Sequence, residues 1–336
     1  MASQTDSETN VVIFTIPGML ADTRLKFFTA EFHVHSALLK IYSGFFRENL
    51  DSPDDSKSRR GESGFKYDLV TVVNADGNGW DLVAASKQKQ EVESPELSWN
   101  PDKEVNCFQK LLQVMYGCRL QIKSAHDLKA LTKLAQSCGS LRMISRALDA
   151  SIGRQEFSFH QLDHDPCAML QVATQLRNPR LFRECLILSL NPWSLPRYEA
   201  LTNTTLRELA SHAHEKVKAN VEDAKKMIDS AVDAMGEVDP ILKAEMEKQI
   251  VEAKRLCRRP RRHPFHLPAY FLTLSNFESR KSRGRYPFKP IFSVVLKNNL
   301  TLNSTCIAGW MSCSNYFLCG EILDKDLPWG TDKRQW

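Results

Sequence analysis

The stretch from Phe32 to Leu50 constrains the fold more than any other, because its apolar period changes partway along it. Phe32 and Val34 alternate with His33 and His35, the two-residue period of a strand. From Ser36 the apolar residues recur three or four apart. Leu38, Ile41, Tyr42, Phe45 and Asn49 lie on one row, and Leu39, Tyr42, Phe46 and Leu50 form a second beside it. A stripe that wide exceeds what a surface helix needs, so one helix covered on more than one side is expected, with Phe45 and Phe46 both in the core. Asp51-Ser52-Pro53 stops it, since proline disfavours helix in the residue before it.

The flanking chain alternates between the same two periods. Val11–Ile16 reads as a short strand ended by Pro17-Gly18, and Leu25–Val34 as a second strand region. The charged, serine-rich segment 52–64 reads as a loop, and Phe65–Val73 as a third strand. Asn74–Gly79 is turn chemistry. Its glycines fit neither the dinucleotide-binding nor the P-loop spacing, and no lysine follows in place. Residues 81–101 read as loop. Helical period then takes over in three segments: from Glu104 to Gly117, from Ala125 to Cys138, and from Leu141 to Ile152.

Beyond these, two short helices are expected between His160 and Pro192. One long amphipathic helix spans Thr205–Met235, with Gly236 after it. Asp239-Pro240 then opens another over Ile241–Leu256, either folding back on the first or pairing with a second chain. Phe271–Leu274 and Ile291–Leu296 read as strands.

The strand ending in Val34-His35 and the helix Ala37-Leu38-Leu39…Ser43…Phe45-Phe46-Arg47 resemble the start of a BTB/POZ domain. They look most like the BTB proteins of filamentous fungi. The segments Phe108–Gly117 and Leu128–Leu148 carry the resemblance onward. Met169–Leu176 and Pro179–Leu190 resemble the helical continuation of the fungal proteins, and Tyr316–Trp336 their tail. Residues between about 262 and 315 fall outside it.

The resemblance implies an α+β class: a BTB/POZ domain of short strands plus helical hairpins over 11–153, after a disordered 1–10. An α-helical extension over 154–257 follows, then a basic linker and Cys/Trp-containing tail over 258–336. It also implies protein binding without catalysis. The chain would be an adaptor or scaffold that pairs with itself as a homodimer, or a substrate adaptor of a cullin-type ubiquitin ligase. The histidine matching His35 would fix the strand-to-helix junction as a structural residue, and Val34, Leu38, Leu39, Phe45 and Phe46 complete the hallmark.

BTB proteins that recruit a cullin commonly carry a hydrophobic-x-Glu motif at the start of the helix ending in an aliphatic-Tyr pair. Aligning on Met115-Tyr116 places it at Phe108-Gln109-Lys110. Lys110 reverses the expected charge. Like charges facing across an interface cost several kcal/mol, so cullin binding is expected to be weak or absent.

Other chemistries find little support. No Ser, His and Asp set stands in a nucleophile-elbow context. His160, Asp163, His164 and Asp165 could ligate a metal, but they also suit a polar loop before Pro166. Cys257, His263, His266, Cys306, Cys313 and Cys319 supply zinc-type ligands without the close pairs of a zinc finger. No metal or cofactor is therefore expected. The run Lys254, Arg255, Arg258, Arg259, Arg261, Arg262 is either a nuclear-import signal, serving a chromatin-associated regulator, or a solvated helix end. It lacks the interleaved aromatics of base stacking, so nucleic acid is not the expected partner.

Nine cysteines at scattered spacing, with no secretory leader and no stretch of membrane-spanning length, point to reduced thiols in cytoplasm or nucleus. A net charge of +5 on 45 basic and 40 acidic residues selects no partner class.

Overall fold

A computed structural model describes residues 10–50, 64–87, 99–154, 162–257, 265–276 and 288–330. The fold is mixed α+β, and the chain divides into two compact units, Met1–Glu156 and Phe157–Trp336.

The first unit is built on a five-stranded sheet in the order β1-β3-β2-β4-β5. Its strands are β1 (Asn10–Ile13), β2 (Thr23–Phe27), β3 (Ala30–Val34), β4 (Tyr67–Val73) and β5 (Trp80–Ala84). β2 and β3 are antiparallel, as are β4 and β5, while β1 joins β3 and β4 joins β2 in parallel. The expected single strand over 25–34 is thus a hairpin. Phe28 turns it with φ 54°, held edge-on against Phe27, Trp80 and Trp99. Residues 81–84, expected as loop, belong to β5. The Asn74–Gly79 bend closes the β4–β5 hairpin, with the Asn74 N–H donating to Gly79 O at 2.9 Å.

The helix expected to run unbroken from Ser36 to Leu50 is two helices, α1 (Ser36–Tyr42) and α2 (Gly44–Asn49). Ser43 breaks it. Its backbone is extended, its N–H closes α1 on Leu39 O, and its Oγ accepts the Phe46 N–H that opens α2. The same hydroxyl donates to Cys138 O at 2.5 Å.

Among the described residues three further helices belong to the unit: α3 (Pro101–Met115), α4 (Ala125–Ser137) and α5 (Leu141–Gly153). Gly139, at φ +61°, brings the end of α4 against Gly44. A Cβ on Gly139 would stand 3.1 Å from Gly44 N, so two glycine backbones meet where any side chain would separate them. The core is aromatic. The Phe27 and Phe108 rings stack at 4.1 Å, and Phe32 tilts onto Phe108 at 5.7 Å.

The second unit is helical: α6 (Pro166–Gln175), α7 (Pro179–Ser189), α8 (Thr204–Val238), α9 (Pro240–Cys257), α10 (Leu267–Ser275) and α11 (Lys289–Phe292). Helix α8 continues through Gly236, and α9 folds back on it within the chain, with Lys243 3.7 Å from Asp233. The strands expected at 271–274 and 291–296 are not formed. The first lies in α10 and the second in α11 and the turns after it. The apolar run Leu267–Leu274 fits a buried strand or helix equally by period, and Pro268 at its first turn favours the helix.

The tail does not stand apart. Phe317 and Leu318 are buried, and side chains of the helical hairpin hold its backbone. Asn191 Nδ2 donates to Phe317 O at 3.0 Å, and Asn191 Oδ1 accepts from Phe317 N at 2.9 Å. Arg183 Nε donates to Ile322 O, and buried Glu184 accepts the N–H and the hydroxyl of Thr301.

Candidate interaction face

Helix α1 begins where β3 ends, and four groups fix the junction. His35 is 1% exposed; its N–H donates to the Tyr116 hydroxyl at 2.8 Å. Its Nδ1 lies 2.8 Å from the same hydroxyl, and its Nε2 faces Met19 O at 3.4 Å. One assignment serves all three contacts: the hydroxyl proton goes to Nδ1 and the ring proton to Nε2. Burial pushes the Tyr116 phenol up, partly offset by the His35 N–H.

Asp22 supplies the helix cap that no residue of α1 provides. Its carboxylate accepts the Ser36 N–H at 2.7 Å and the Ser36 hydroxyl at 2.6 Å. Burial raises its pKa, but the bonds from Ser36 and Thr23 outweigh that and hold it below the ordinary carboxylate range. The Asp22 carbonyl also accepts from Lys66 and Tyr67, which starts β4. Nearby, Arg24 and Asp68 pair between β2 and β4, which lifts the guanidinium pKa further.

With α1 so fixed, its two apolar rows part. Leu39 is buried and α2 adds buried Phe46, while Ala37, Ile41 and Tyr42 are exposed and Leu38 is half-buried. Ile41 is 62% exposed and Tyr42 40%. Phe45, expected in the core, is half-buried, because the break at Ser43 rotates α2 away from the register of α1. Edge strand β1 adds Val11 and Ile13, the latter 61% exposed, and the loop after it adds Met19 and Leu20. Contacts link the two elements: the Phe14 ring lies 4.6 Å from that of Tyr116, whose hydroxyl binds His35 at the start of α1.

The other sequence-derived sites fare differently. Phe108, expected as a contact residue for a partner, is wholly buried under Phe27, so it has no surface to offer. Gln109 is half-buried, and Lys110 bonds Asp127 at 3.1 Å. Burial raises the Asp127 pKa, but Lys110 chiefly outweighs it and leaves the carboxyl below its usual range. Asp163 serves Arg197 and Tyr316, and Asp165 caps α6 through the Ala168 N–H. Neither carboxylate is free to ligate, and His160 lies outside the described residues.

Among the described residues no three His, Cys, Asp or Glu side chains converge on a metal position, and no helix is long and apolar enough to cross a membrane. His263 and Arg258, Arg259, Arg261 and Arg262 lie outside those residues. Lys254 and Arg255 are exposed on the last turn of α9, where Arg255 pairs with Glu252.

Cys306 and Cys313 stand side by side with Cα atoms 7.2 Å apart, wider than a formed disulfide spans, and the other seven cysteines are free thiols.

Asp22 and Tyr116 were missed in the sequence as partners of the α1 start. Asp22 precedes a strand and meets Ser36 fourteen positions later, a separation that leaves no periodic trace. No family model, curated protein or solved structure matches this chain.

Proposed function

We propose that this chain is a BTB/POZ-like protein-interaction module that associates with a second copy of itself through α1 and β1, acting as an adaptor or scaffold. The strand-to-helix signature at 32–50 supports the kinship. The single observation that carries the self-association is the open apolar row of α1, Ala37 and Ile41 beside Leu38 and Tyr42. A helix that buries one row and leaves its neighbour open has a face suited to a partner.

A second copy suits it better than an unrelated chain. Among the described residues β1 is an edge strand paired on one side only, with alternating Val11 and Ile13, and two identical edges can pair about a two-fold axis. Ile41→Glu tests this. Desolvating a carboxylate in the contact opposes association, while the fold loses nothing because position 41 is open. The reading expects a dimer that becomes a folded monomer with unchanged circular dichroism and a cooperative melt, its melting temperature lowered only by the lost association. A variant that stays dimeric removes α1 from the contact.

We further propose that the module binds a cullin weakly or not at all. The burial of Phe108 and the tie from Lys110 to Asp127 support that. Titrating a cullin N-terminal domain with the full chain tests it, and submicromolar affinity contradicts it.

A further inference from the structure

The segment 306–313 of the second unit is a tight loop with an apolar tip. Ile307, Trp310 and Met311 face solvent, Met311 being 75% exposed, while Ala308 and Gly309 are covered behind them. The loop bonds its own backbone. The Trp310 N–H donates to Ile307 O at 3.1 Å, the Gly309 N–H to Cys313 O at 3.0 Å, and the Cys313 N–H to Trp310 O at 2.8 Å. It rests on the start of α10, where a Cβ on Gly309 would collide with Pro268 O. Asn298 Nδ2 ties its other end, donating to Cys306 O at 2.8 Å. Met311 stands at φ 46°, a conformation that glycine adopts freely and methionine does not. The fold gains nothing from a large apolar side chain there.

The charge of the surrounding chain is one-sided. From 254 to 320 the described residues include exposed Lys254, Arg255, Lys289 and Lys297, and no Asp or Glu. In sequence the whole of that stretch holds twelve Lys and Arg against one acid, Glu278, so the chain's net +5 is concentrated there and the remainder is net acidic. Lys297 adjoins Asn298, which binds the loop. Helix α9, with Lys254 and Arg255 on its last turn, packs on α10, where Cys257 Sγ lies 3.9 Å from Thr273 Oγ1.

We propose that the 306–313 loop is a peripheral docking tip for an anionic lipid bilayer, with Ile307, Trp310 and Met311 entering the headgroup boundary and the basic side chains meeting lipid charge. A bilayer surface sets negative charge directly above an apolar medium, and both halves of that pattern are present here. Tryptophan favours the membrane–water boundary because its ring is apolar and its N–H is polar. Three amides of the loop are already bonded within it, so entry strips little hydration from the backbone. Nucleic acid would answer the charge alone, since Ile307 and Met311 have no flat face on which a base can stack. The inference is independent of self-association through α1.

The test is co-sedimentation of the full chain with vesicles, either phosphatidylserine and phosphatidylcholine in equal parts or phosphatidylcholine alone. The unaltered chain should bind the mixed vesicles at low salt, bind the neutral ones far less, and be released by high salt. Ile307→Ser, Trp310→Ser and Met311→Ser combined should weaken binding to the mixed vesicles by at least about tenfold. Lys254→Glu, Lys289→Glu and Lys297→Glu combined should weaken it by at least about tenfold as well. Met227→Ser, at an exposed methionine of α8, should leave it unchanged. The proposal is overturned if the unaltered chain does not bind the mixed vesicles, or if the loop variant binds them equally well, which would leave adsorption by charge alone. Loop-dependent binding of polyuridylate without vesicle binding would assign the surface to nucleic acid and overturn it too. Circular dichroism checks the fold of each variant. Should the triple loop variant unfold, Met311→Ser alone decides, with a loss of at least about threefold expected and an unchanged affinity contradicting the proposal.

Discussion

The Asp22 carboxylate accepts both the N–H and the hydroxyl of Ser36, at 2.7 and 2.6 Å, and so caps α1 from a residue outside it. Asp22→Ala leaves a buried amide and hydroxyl without an acceptor. That should cost about 2–4 kcal/mol by urea unfolding, on the scale of a lost charge-assisted bond and a lost cap together.

The same carboxylate gives the first unit a specific acid sensitivity. Its folded pKa lies below the ordinary 3.8, so the native state keeps it ionised where the unfolded chain has already taken up a proton. Its contribution is complete above the unfolded value and disappears as pH falls through the lower folded one. Asp22→Asn should be less stable than the unaltered chain at neutral pH. The gap should narrow as acid is added below about pH 4, as followed by urea unfolding at a series of pH values. A gap that widens in acid contradicts the assignment.

Phe45 and Phe46 look equivalent by period and are not. Phe46 is wholly buried, and Phe46→Ala should cost about 3–5 kcal/mol. Phe45 is half-buried, so Phe45→Ala should cost less than about half of that. Equal losses in paired urea titrations would place Phe45 in the core after all.

Much of this was legible in the sequence, and its limits were physical. Apolar spacing announced helix over 36–50, though as one helix and not two, and the three helices between 104 and 152, because each has a face to bury. It did not say which of two adjacent rows on α1 is covered, since period reports that residues share a face and not what lies opposite. Ser43 carried a cap signal masked by apolar residues on both sides. The tail was illegible because it is held by Asn191, Arg183 and Glu184 from α7 and the turn after it, bonds that join side chains to backbone more than a hundred positions away and impose no pattern on the tail itself. The open face on α1 was therefore half visible: its residues could be named, its exposure could not.

Gly139 and Gly117 both have positive φ, at 61° and 75°, but only Gly139 meets a backbone. Alanine at either position pays about 1–2 kcal/mol for the left-handed conformation. Gly139→Ala must also displace Gly44, so it should be the more destabilising of the two by calorimetry. The reverse order would mean that the α2–α4 approach is slack.

Asn191 reads the tail through one amide. Asn191→Ala strips both Phe317 backbone groups of their partners, at about 1–3 kcal/mol for each buried group left unpaired. Hydrogen exchange at the Phe317 amide should quicken by at least about tenfold, the equivalent of 1.4 kcal/mol. Unchanged protection there would show that the tail is held by other contacts.

The central claim is that the uncovered row of α1 is a surface for a second copy. Sedimentation equilibrium of the full chain at micromolar concentration, beside Ile41→Glu, tests it most directly. The account predicts twice the 38.3 kDa chain mass for the unaltered protein and the single chain mass for the variant. A single chain mass for the unaltered protein across that range would contradict it.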